Sequence, residues 1–379
     1  MPSTRAGAVA IVSVAIATAV AIVAISGPRR PEAAALGQLP FDAPLPAGPP
    51  PPGVTLTIGD PTTQRVLEHT GWINQLPFKV KWAEIAGGPA VTEAFHARSL
   101  DVGSAADIPP IHATWVGIPV KIIAVRLRQD PLNHPLYELG IAPKSGIQSL
   151  ADLRGKRIAF SPGQVQGEVV LRTLAAEGLT PKDVKLVELP STGGDVYVGA
   201  LAGGLVDVAP LGVGTQVKHY LEKYAADGAR VLPHAPFRDD LTVLYVRQET
   251  LRDPAKAAAL KAYVALWARA AEWMRAHPDE FADLYYVKDQ GLSQADARYV
   301  VSAGGEPDIP RDWTAAVGME QTAADVMAHQ TGRRPLAAES LFDRRFTSVA
   351  ADAADAEWAK EGGAPAAHLA SADAKRTSP

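Results

Sequence analysis

Residues 81–89, Lys-Trp-Ala-Glu-Ile-Ala-Gly-Gly-Pro, and residues 100–110, Leu-Asp-Val-Gly-Ser-Ala-Ala-Asp-Ile-Pro-Pro, decide how this chain of 379 residues is expected to fold. Each stretch reads as a strand that ends in small residues and proline, with a helical pattern behind it. Further strands are predicted at 54–58 and 120–125, and helices at 62–76, 89–98 and 109–116. This alternation predicts a largely parallel sheet that binds ligands at the carboxyl ends of its strands.

A second α/β unit is predicted after a loop rich in Pro, Asn and His at 129–136. Its expected elements are strands at 157–160, 184–189, 206–209 and 230–232 and helices at 149–153, 166–177, 196–201 and 215–224. Two such units in one chain agree with its length, which is too great for one ordinary domain.

The chain is expected to return to the first unit near Leu241, because that unit alone has few helices to cover its sheet. A strand is predicted at 241–246, and Asp253 with Pro254 marks the start of a helix to about His277. The core face of that helix comprises Leu260, Val264, Trp267, Ala271 and Met274. The predicted boundaries are 54–128 and 241–362 for lobe 1 and 129–240 for lobe 2.

The N-terminal region has the pattern of an export segment. Arg5 precedes an apolar run from Ala6 to Ile25, so residues 1–27 are interpreted as a cleaved signal peptide or an uncleaved membrane anchor. Residues 28–53 form a Pro-rich linker, either a stiff spacer or a disordered tail. Residues 363–379 are interpreted as a disordered tail.

The composition excludes several classes of site. The chain has no cysteine, which removes disulfides, a lipid-modified Cys anchor and thiol nucleophiles. The net charge is −4 without a long basic run, which argues against nucleic acid as a partner. The nine histidines are scattered, so no metal or other cofactor is expected.

Three motifs resemble the sulfonate, nitrate and taurine substrate-binding proteins of ABC importers. Two of them are the stretches at 81–89 and 100–110, and the third is Ser-Leu-Ala-Asp-Leu-Arg-Gly-Lys-Arg-Ile-Ala-Phe at 149–160. The resemblance runs from about Val54 to Phe346. It implies a type II periplasmic-binding-protein fold, which has two α/β lobes, a double hinge and a ligand cleft.

The resemblance also implies a function outside the cytoplasm. The chain would be a monomer that captures a small organic anion or zwitterion, such as a sulfonate or taurine, and delivers it to an ABC permease and its ATPase. The membrane would be touched only through an uncleaved N-terminal segment. A pyrimidine-type ligand is an alternative.

The turns between strands and helices are the candidate binding elements, because the first turn of a helix offers unpaired N–H groups to an anion. The alternative is that these residues only cap their helices. The candidate ligand-binding residues are Asp60, Thr62, Thr63, Gln64, Gly87, Gly88, Pro89, Ser104, Ala105, Asp107, Ser161, Gln164, Gln166, Gly194, Tyr197 and Gly212.

The chain departs from the sulfonate-binding pattern in the second lobe. An expected Arg is replaced within Gly-Gly-Asp-Val-Tyr-Val at 193–198, and an expected Trp within Leu-Gly-Val-Gly at 211–214. In addition, Asp60, Asp107, Glu168 and Asp195 all follow or flank predicted strands. If they face the cleft they favour a ligand with an amine, and if they face outward they are helix caps.

Other functions occur on the same fold. The desulfinase and the thiamin-pyrimidine synthase that share the fold depend on cysteine, which this chain lacks. No Ser-His-Asp order or paired-carboxylate motif stands out, so the chain is predicted not to be an enzyme. A sensor that signals through a retained N-terminal helix is the remaining alternative, and it would need a partner protein.

Overall fold

The computed structural model describes residues 37–85, 87–190 and 196–360. The predicted signal or anchor, the C-terminal tail at 363–379, Gly194 and Asp195 lie outside the described residues. The described residues from Gln38 onward belong to one unit. Within the described ranges, no helix is both long and apolar enough to cross a membrane.

The strands build two sheets. They are β1 (Thr55–Gly59), β2 (Lys79–Trp82), β3 (Val102–Ala106), β4 (Val120–Arg128), β5 (Tyr137–Ile141), β6 (Arg157–Phe160), β7 (Lys185–Glu188), β8 (Val208–Gly212), β9 (Arg230–Leu232), β10 (Thr242–Arg247) and β11 (Pro307–Asp308). The first sheet has the order β11-β4-β10-β3-β1-β2 and the second β7-β6-β8-β5-β9. The chain therefore crosses between the sheets after β4 and returns before β10, as the sequence predicts. The exact lobe boundaries stay a prediction.

Helices surround both sheets. They are α1 (Pro61–His69), α2 (Gly88–His96), α3 (Ile108–Trp115), α4 (Val165–Ala176), α5 (Val196–Ala202), α6 (Thr215–Tyr224), α7 (Gln248–Arg252), α8 (Pro254–Ala276), α9 (Pro278–Phe281), α10 (Gln294–Gly304), α11 (Thr314–Thr331) and α12 (Thr347–Lys360). A π-helix spans Ala282–Asp289, and 3₁₀ turns occur at Trp72–Gln75, Leu150–Leu153, Pro181–Asp183, Ala225–Asp227, Ala338–Leu341 and Arg344–Phe346.

The start of α8 confirms the predicted cap. Asp253 accepts the N–H groups of Ala255 and Lys256 at 2.9 and 3.1 Å, and Pro254 occupies the first helical position. The predicted core face is also confirmed: Leu260, Val264, Trp267 and Ala271 are buried, and Met274 is partly buried. Trp267 is thus a core residue.

The prediction of largely parallel sheets is wrong for three strands. β11 runs antiparallel to β4. β10 runs antiparallel to β3 and β4, and β5, which the sequence patterns did not reveal, runs antiparallel to β8 and β9. β5 and β10 each follow a crossing between the sheets and begin where neighbouring strands end, since Thr242 pairs with Ala106 and Tyr137 with Gly212. Parallel pairing needs a helical crossover over a sheet face, which these crossings do not make.

The helix predicted at 62–76 is shorter in the structure. α1 ends at His69, and a separate 3₁₀ turn covers Trp72–Gln75. Gly71 lies between them with φ of +71°, a left-handed conformation that glycine adopts without a Cβ clash. The local turn therefore overrides the helical periodicity.

The second half of the Pro-rich segment is packed and does not act as a free spacer. Leu39 donates its N–H to Arg252 O at 2.7 Å, and Arg345 donates to Pro40 O and Ala43 O at 3.1 and 2.9 Å. The Phe41 ring lies 4.7 Å from the Arg252 guanidinium and 5.8 Å from that of Arg345. The prediction of a spacer or a disordered tail is therefore wrong for residues 38–46, because their carbonyls and aromatic ring find partners.

Candidate functional site

The carboxyl edge of the first sheet brings together residues that are far apart in sequence. Asp60 follows β1 and Asp107 follows β3. Thr242, the first residue of β10, pairs with Ala106 on one side and Arg126 on the other. Arg126 in β4 therefore lies at the same edge as the predicted turns, where α/β sheets bind their ligands.

A cavity of about 740 Å³ opens at this edge. Its size falls within the range typical of small-molecule pockets. Its walls combine arginines with apolar side chains, and they come from β4, the start of β10, the end of α8, the π-helix and α10. The lining residues that matter here are Thr62, Arg126, Leu127, Arg128, Asp240, Met274, Arg275, Phe281, Tyr286, Arg298, Val300, Val301 and Glu306.

Arg126 is the one arginine lining this cavity whose side chain makes no hydrogen bond to the described residues. Among the described residues, no carboxylate or carbonyl accepts a hydrogen bond from its guanidinium, which lies 5.7 Å from the Trp267 ring. Burial lowers the pKa of Arg126, and the nearby Asp60 carboxyl opposes that shift. A guanidinium retains its proton at neutral pH, so this group presents unused donors to the cavity.

The other arginines of the cavity have protein partners. Arg128 donates to the carbonyl oxygens of His134 and Pro135 at 2.5 and 3.2 Å. Arg275 donates to Glu272 at 2.8 Å and lies 3.5 Å from the Trp358 ring. Arg298 donates to an Asp279 carboxylate that also lines the cavity, at 3.1 Å. These groups are held by the fold, whereas the Arg126 guanidinium is open to a ligand.

The predicted turn at residues 60–64 contributes one residue to the cavity wall, Thr62. Asp60 is 3% exposed and caps α1, accepting the Thr63 N–H at 3.4 Å and the Tyr263 hydroxyl at 3.0 Å. Burial raises the pKa of Asp60, although those two hydrogen bonds oppose the shift. Thr63 and Gln64 are buried, and Gln64 donates to Glu68 at 2.7 Å.

The Gly-Gly-Pro turn is built around a close approach of two helix starts. A Cβ on Gly88 would lie 2.3 Å from Cγ of Pro109, so α2 and α3 meet where only glycine fits. Gly87 has φ of +85° and Pro89 is exposed. Gly88 therefore has a packing role and Gly87 a conformational one, whether or not a ligand contacts them.

A second group of predicted residues lies where the half of the molecule built on the first sheet meets the half built on the second sheet. Asp107 is 1% exposed and accepts the Ile108 N–H at 2.8 Å, while Glu168 on α4 is fully buried and pairs with Arg172 at 2.8 Å. A Cβ on Gly163 would lie 2.8 Å from the His112 ring, so the turn after β6 touches α3. The two halves are closed onto each other at this point.

The remaining predicted residues surround that contact. Ser161, Gln164 and Tyr197 are buried, and burial raises the pKa of Tyr197 to about 12. Gln166 is partly buried, with a side-chain oxygen that has no hydrogen-bond partner among the described residues. Gly212 donates its N–H to Gln216 at 2.8 Å, and Ser104 and Ala105 are partly buried in β3. Apart from Thr62, none of the predicted residues that the structure describes lines the cavity.

The sequence patterns did not single out Arg126. A signal was present, since Val125-Arg-Leu-Arg128 alternates apolar and charged residues at the end of a buried strand. Such a pattern places Arg126 and Arg128 on one face of the sheet. Within the described part of the chain, no group of His, Asp and Glu could hold a metal ion.

The two α/β halves, the double crossing and the site at the strand ends define the periplasmic-binding-protein fold. The chain belongs to the NMT1/THI5-like family, whose model matches residues 68–281.

Individual relatives were found by sequence. The chain is 34% identical over 107 residues to an aliphatic sulfonates-binding protein of Escherichia coli K12, which is 28% of this chain and 32% of that one. It is 27% identical over 230 residues to a Bacillus subtilis 168 protein of the same name, covering 59% and 66% of the two chains. The matches thus span less than two thirds of either relative.

Solved structures share the fold at low identity. The alkanesulfonate-binding protein of Xanthomonas axonopodis pv. citri, solved bound to MOPS, superimposes with a TM-score of 0.62 at 21% identity over 78% of this chain and 99% of that one. A desulfurization enzyme superimposes with a TM-score of 0.52 at 17% identity over 79% and 99%. The fold alone therefore does not separate binding from catalysis.

Proposed function

We propose that this chain is the extracytoplasmic solute-binding component of an ABC importer and that it captures a small organic anion beside Arg126. The observation that carries this proposal is a guanidinium at the carboxyl edge of the sheet, facing a cavity of about 740 Å³ without a protein acceptor. A sulfonate or carboxylate supplies the acceptor oxygens that this group lacks. The captured anion would then pass to a membrane permease and its ATPase.

The rest of the cavity favours an anion with an apolar body. Leu127, Met274, Phe281, Val300 and Val301 line it, and burial of apolar surface adds affinity of about 25 cal/mol per Å². A sulfonate with a ring or an alkyl chain matches this combination of one cation and apolar walls. The relatives that bind aliphatic sulfonates and the neighbour that holds MOPS support the same class.

A zwitterion such as taurine is the competing ligand class. The acidic residues that the sequence offered for an amine, Asp60, Asp107 and Glu168, do not line the cavity. Carboxylates of Asp240, Asp279 and Glu306 do line it, but Arg238 already donates to Asp240 at 2.8 Å and Arg298 to Asp279 at 3.1 Å. The ammonium group of a zwitterion would be repelled by the Arg126 and Arg128 guanidinium groups, so we place simple anions ahead of zwitterions.

The proposal includes binding without catalysis. A desulfinase on this fold would need a thiol, and the chain has no cysteine. Export is supported by the apolar run from Ala6 to Ile25, as a cleaved signal or an anchor, and we propose a monomer that acts outside the cytoplasmic membrane.

Calorimetric titration of the purified chain tests the proposal. The probes are MOPS, octane-1-sulfonate, taurine, nitrate and a pyrimidine, each at constant ionic strength. We expect octane-1-sulfonate to bind more tightly than taurine and nitrate, with a negative heat-capacity change for the octyl chain. MOPS carries a ring but also a partly protonated morpholine nitrogen near neutral pH, so we expect its affinity to lie between those of octane-1-sulfonate and taurine. The absence of saturable binding by either sulfonate would refute the anion proposal, and preferential binding of the pyrimidine would favour the alternative ligand class. Release of sulfite during incubation would instead identify an enzyme.

A further inference from the structure

Three helices from distant parts of the sequence meet between the two sheets, and each brings a buried carboxyl group. Asp107 begins α3, Glu168 lies on α4 and Glu320 lies on α11; these three helices contact one another in pairs. Asp107 is 1% exposed, and Glu168 and Glu320 are both 0% exposed. We call Asp107, Glu168 and Glu320 the carboxyl cluster.

The carboxyl cluster has too few partners for three negative charges. Arg172 donates to one oxygen of Glu168 at 2.8 Å, and Ile108 donates its N–H to one oxygen of Asp107 at 2.8 Å. The second oxygen of Asp107, the second oxygen of Glu168 and both oxygens of Glu320 have no hydrogen-bond partner among the described residues. An ionised carboxylate without partners is strongly unfavourable inside a protein.

The groups around the cluster do not supply the missing positive charge. Asp239, on the return crossing, accepts the N–H groups of Leu136 and Tyr137 and lies 3.3 Å from a ring nitrogen of His234. Arg172, on α4, also donates to Arg238 O at 3.1 Å and lies 3.8 Å from the Phe237 ring.

Titratable groups on the neighbouring elements complete the surroundings. Burial raises the pKa of the Tyr137 hydroxyl, and the Asp239 and Asp107 carboxyls beside it add to that shift. His112 lies on α3. Burial and the Arg333 guanidinium, just beyond the end of α11, lower the pKa of this imidazole. Arg128 donates to backbone carbonyls and faces Asp239. In total, the carboxyl groups outnumber the cations that reach the cluster.

Burial is the main reason that the pKa of each member is raised. For Asp107, the Glu168 carboxyl adds to that effect and the Arg172 guanidinium opposes it. For Glu168, the opposing effect of Arg172 is smaller than the effect of burial. For Glu320, the Asp107 and Glu168 carboxyls raise the pKa further. In this closed arrangement the carboxyl groups of the cluster therefore hold their protons to a higher pH than the same groups do in water.

We propose that closure of the two halves takes up protons at the carboxyl cluster, so that acidic conditions favour the closed form. Asp107 belongs to the half built on the first sheet and Glu168 to the half built on the second, so separating the halves separates the two groups and exposes them to solvent. The cluster is thus a proton-linked latch on the cleft. This proposal rests on the proposed function in one respect: closure is useful because it retains the bound ligand.

The size of the effect follows from proton linkage. In the open form the carboxyl groups titrate near pH 4, their ordinary range, and in the closed form they titrate at higher pH. Between these two limits, each proton taken up on closure makes the ratio of closed to open molecules fall about tenfold for every unit of rising pH. Below about pH 4, where the open form is also protonated, the ratio of closed to open molecules has its highest value. The ratio declines as the pH rises above that range.

The test measures the opening of the ligand-free chain directly. Because the sequence contains no cysteine, Ala97→Cys and Ala226→Cys introduce two unique positions for spin labels, both exposed and one in each half. Distance distributions between the labels are recorded from pH 5 to pH 8 in the parent, Glu320→Gln and Asp107→Asn chains. Glu93→Gln, at an exposed position, is the matched control.

We expect the long-distance population to grow with pH in the parent and in Glu93→Gln. In Glu320→Gln and Asp107→Asn the growth should be reduced by at least half, because a neutral amide needs no proton for burial. A parent chain with the same distances at every pH would overturn the latch, and so would an unchanged pH response in both amide variants. Asp107→Asn keeps the proposal testable if Glu320→Gln does not fold. Since no ligand is added, this result is independent of whether the Arg126 cavity binds a sulfonate.

Discussion

Replacing Arg126 with Met tests whether the open guanidinium serves a ligand or the fold. Methionine has a similar length but no charge, so it fills much of the same space and removes only the donors. A hydrogen bond to a charged group contributes about 1.5–3 kcal/mol, which corresponds to a loss of about 10- to 150-fold in affinity for an anion. The structure therefore predicts a large change in binding.

The same substitution should leave the stability of the ligand-free chain nearly unchanged. Arg126 makes no hydrogen bond to the described residues, and its contact with the Trp267 ring, at 5.7 Å, is worth about 0.5–1 kcal/mol. Relief of the desolvated charge offsets that loss, and burial is indeed the main cause of its lowered pKa. We expect the free energy of unfolding to stay within about 1 kcal/mol of the parent value.

Arg275→Met is the matched control, because Arg275 lines the same cavity but donates to Glu272, which is 6% exposed. Its loss leaves a buried carboxylate unpaired and should lower stability by about 1–3 kcal/mol, with a smaller effect on anion affinity. The assays are calorimetric titration with octane-1-sulfonate and urea denaturation of the ligand-free chains. If Arg126→Met destabilises the chain as much as Arg275→Met and binds the sulfonate as the parent does, Arg126 is a structural residue and the reasoning fails.

Three further substitutions test the packing and the charges described above. Phe41→Ala should lower the free energy of unfolding by about 1–3 kcal/mol in urea denaturation, since the ring packs on the core and lies over cationic side chains. An unchanged midpoint would show that this N-terminal segment is not packed on the core. Gly88→Ala should cost about 1–3 kcal/mol because its Cβ would lie 2.3 Å from Pro109, whereas Gly318→Ala, which meets nothing within 4 Å in α11, should stabilise the chain by about 0.5–1 kcal/mol; equal melting temperatures for the two variants would contradict this packing. Glu320→Gln should raise the melting temperature more at pH 8 than at pH 5, because a carboxyl with a raised pKa in the folded state stabilises the fold at low pH and loses that contribution as the pH rises; the opposite order would mean that Glu320 is ionised in the folded chain.

Much of the local structure follows from the sequence. The strand at Arg157–Phe160 and the helix at Thr215–Tyr224 agree residue for residue with their patterns, and the cap at Asp253 with Pro254 starts α8 where predicted. These features depend on side chains within a few residues of one another. Periodicity and capping report such short-range effects directly.

The arrangement of strands is less accessible to such patterns. β5 and β10 run antiparallel to their neighbours because each enters its sheet from the cleft, and no periodicity records the edge at which a strand begins. The residue types of a turn also do not reveal its role. The Gly-Gly-Pro turn has the residue types of an anion-binding turn. The structure shows that Gly88 lies so close to Pro109 that glycine is required there whether or not an anion binds.

The sequence by itself determined the α/β class, the return of the chain to the first sheet and the absence of thiol chemistry. Only the tertiary structure decided which charged groups lie together in a cavity or a buried contact. Arg126, Thr62 and Tyr286 meet at one cavity, and Asp107, Glu168 and Glu320 share one buried contact, although each set spans more than 200 residues. The physical reason is that the state of a charged side chain depends on its burial and on partners brought near by long-range packing. Local sequence does not encode those two quantities.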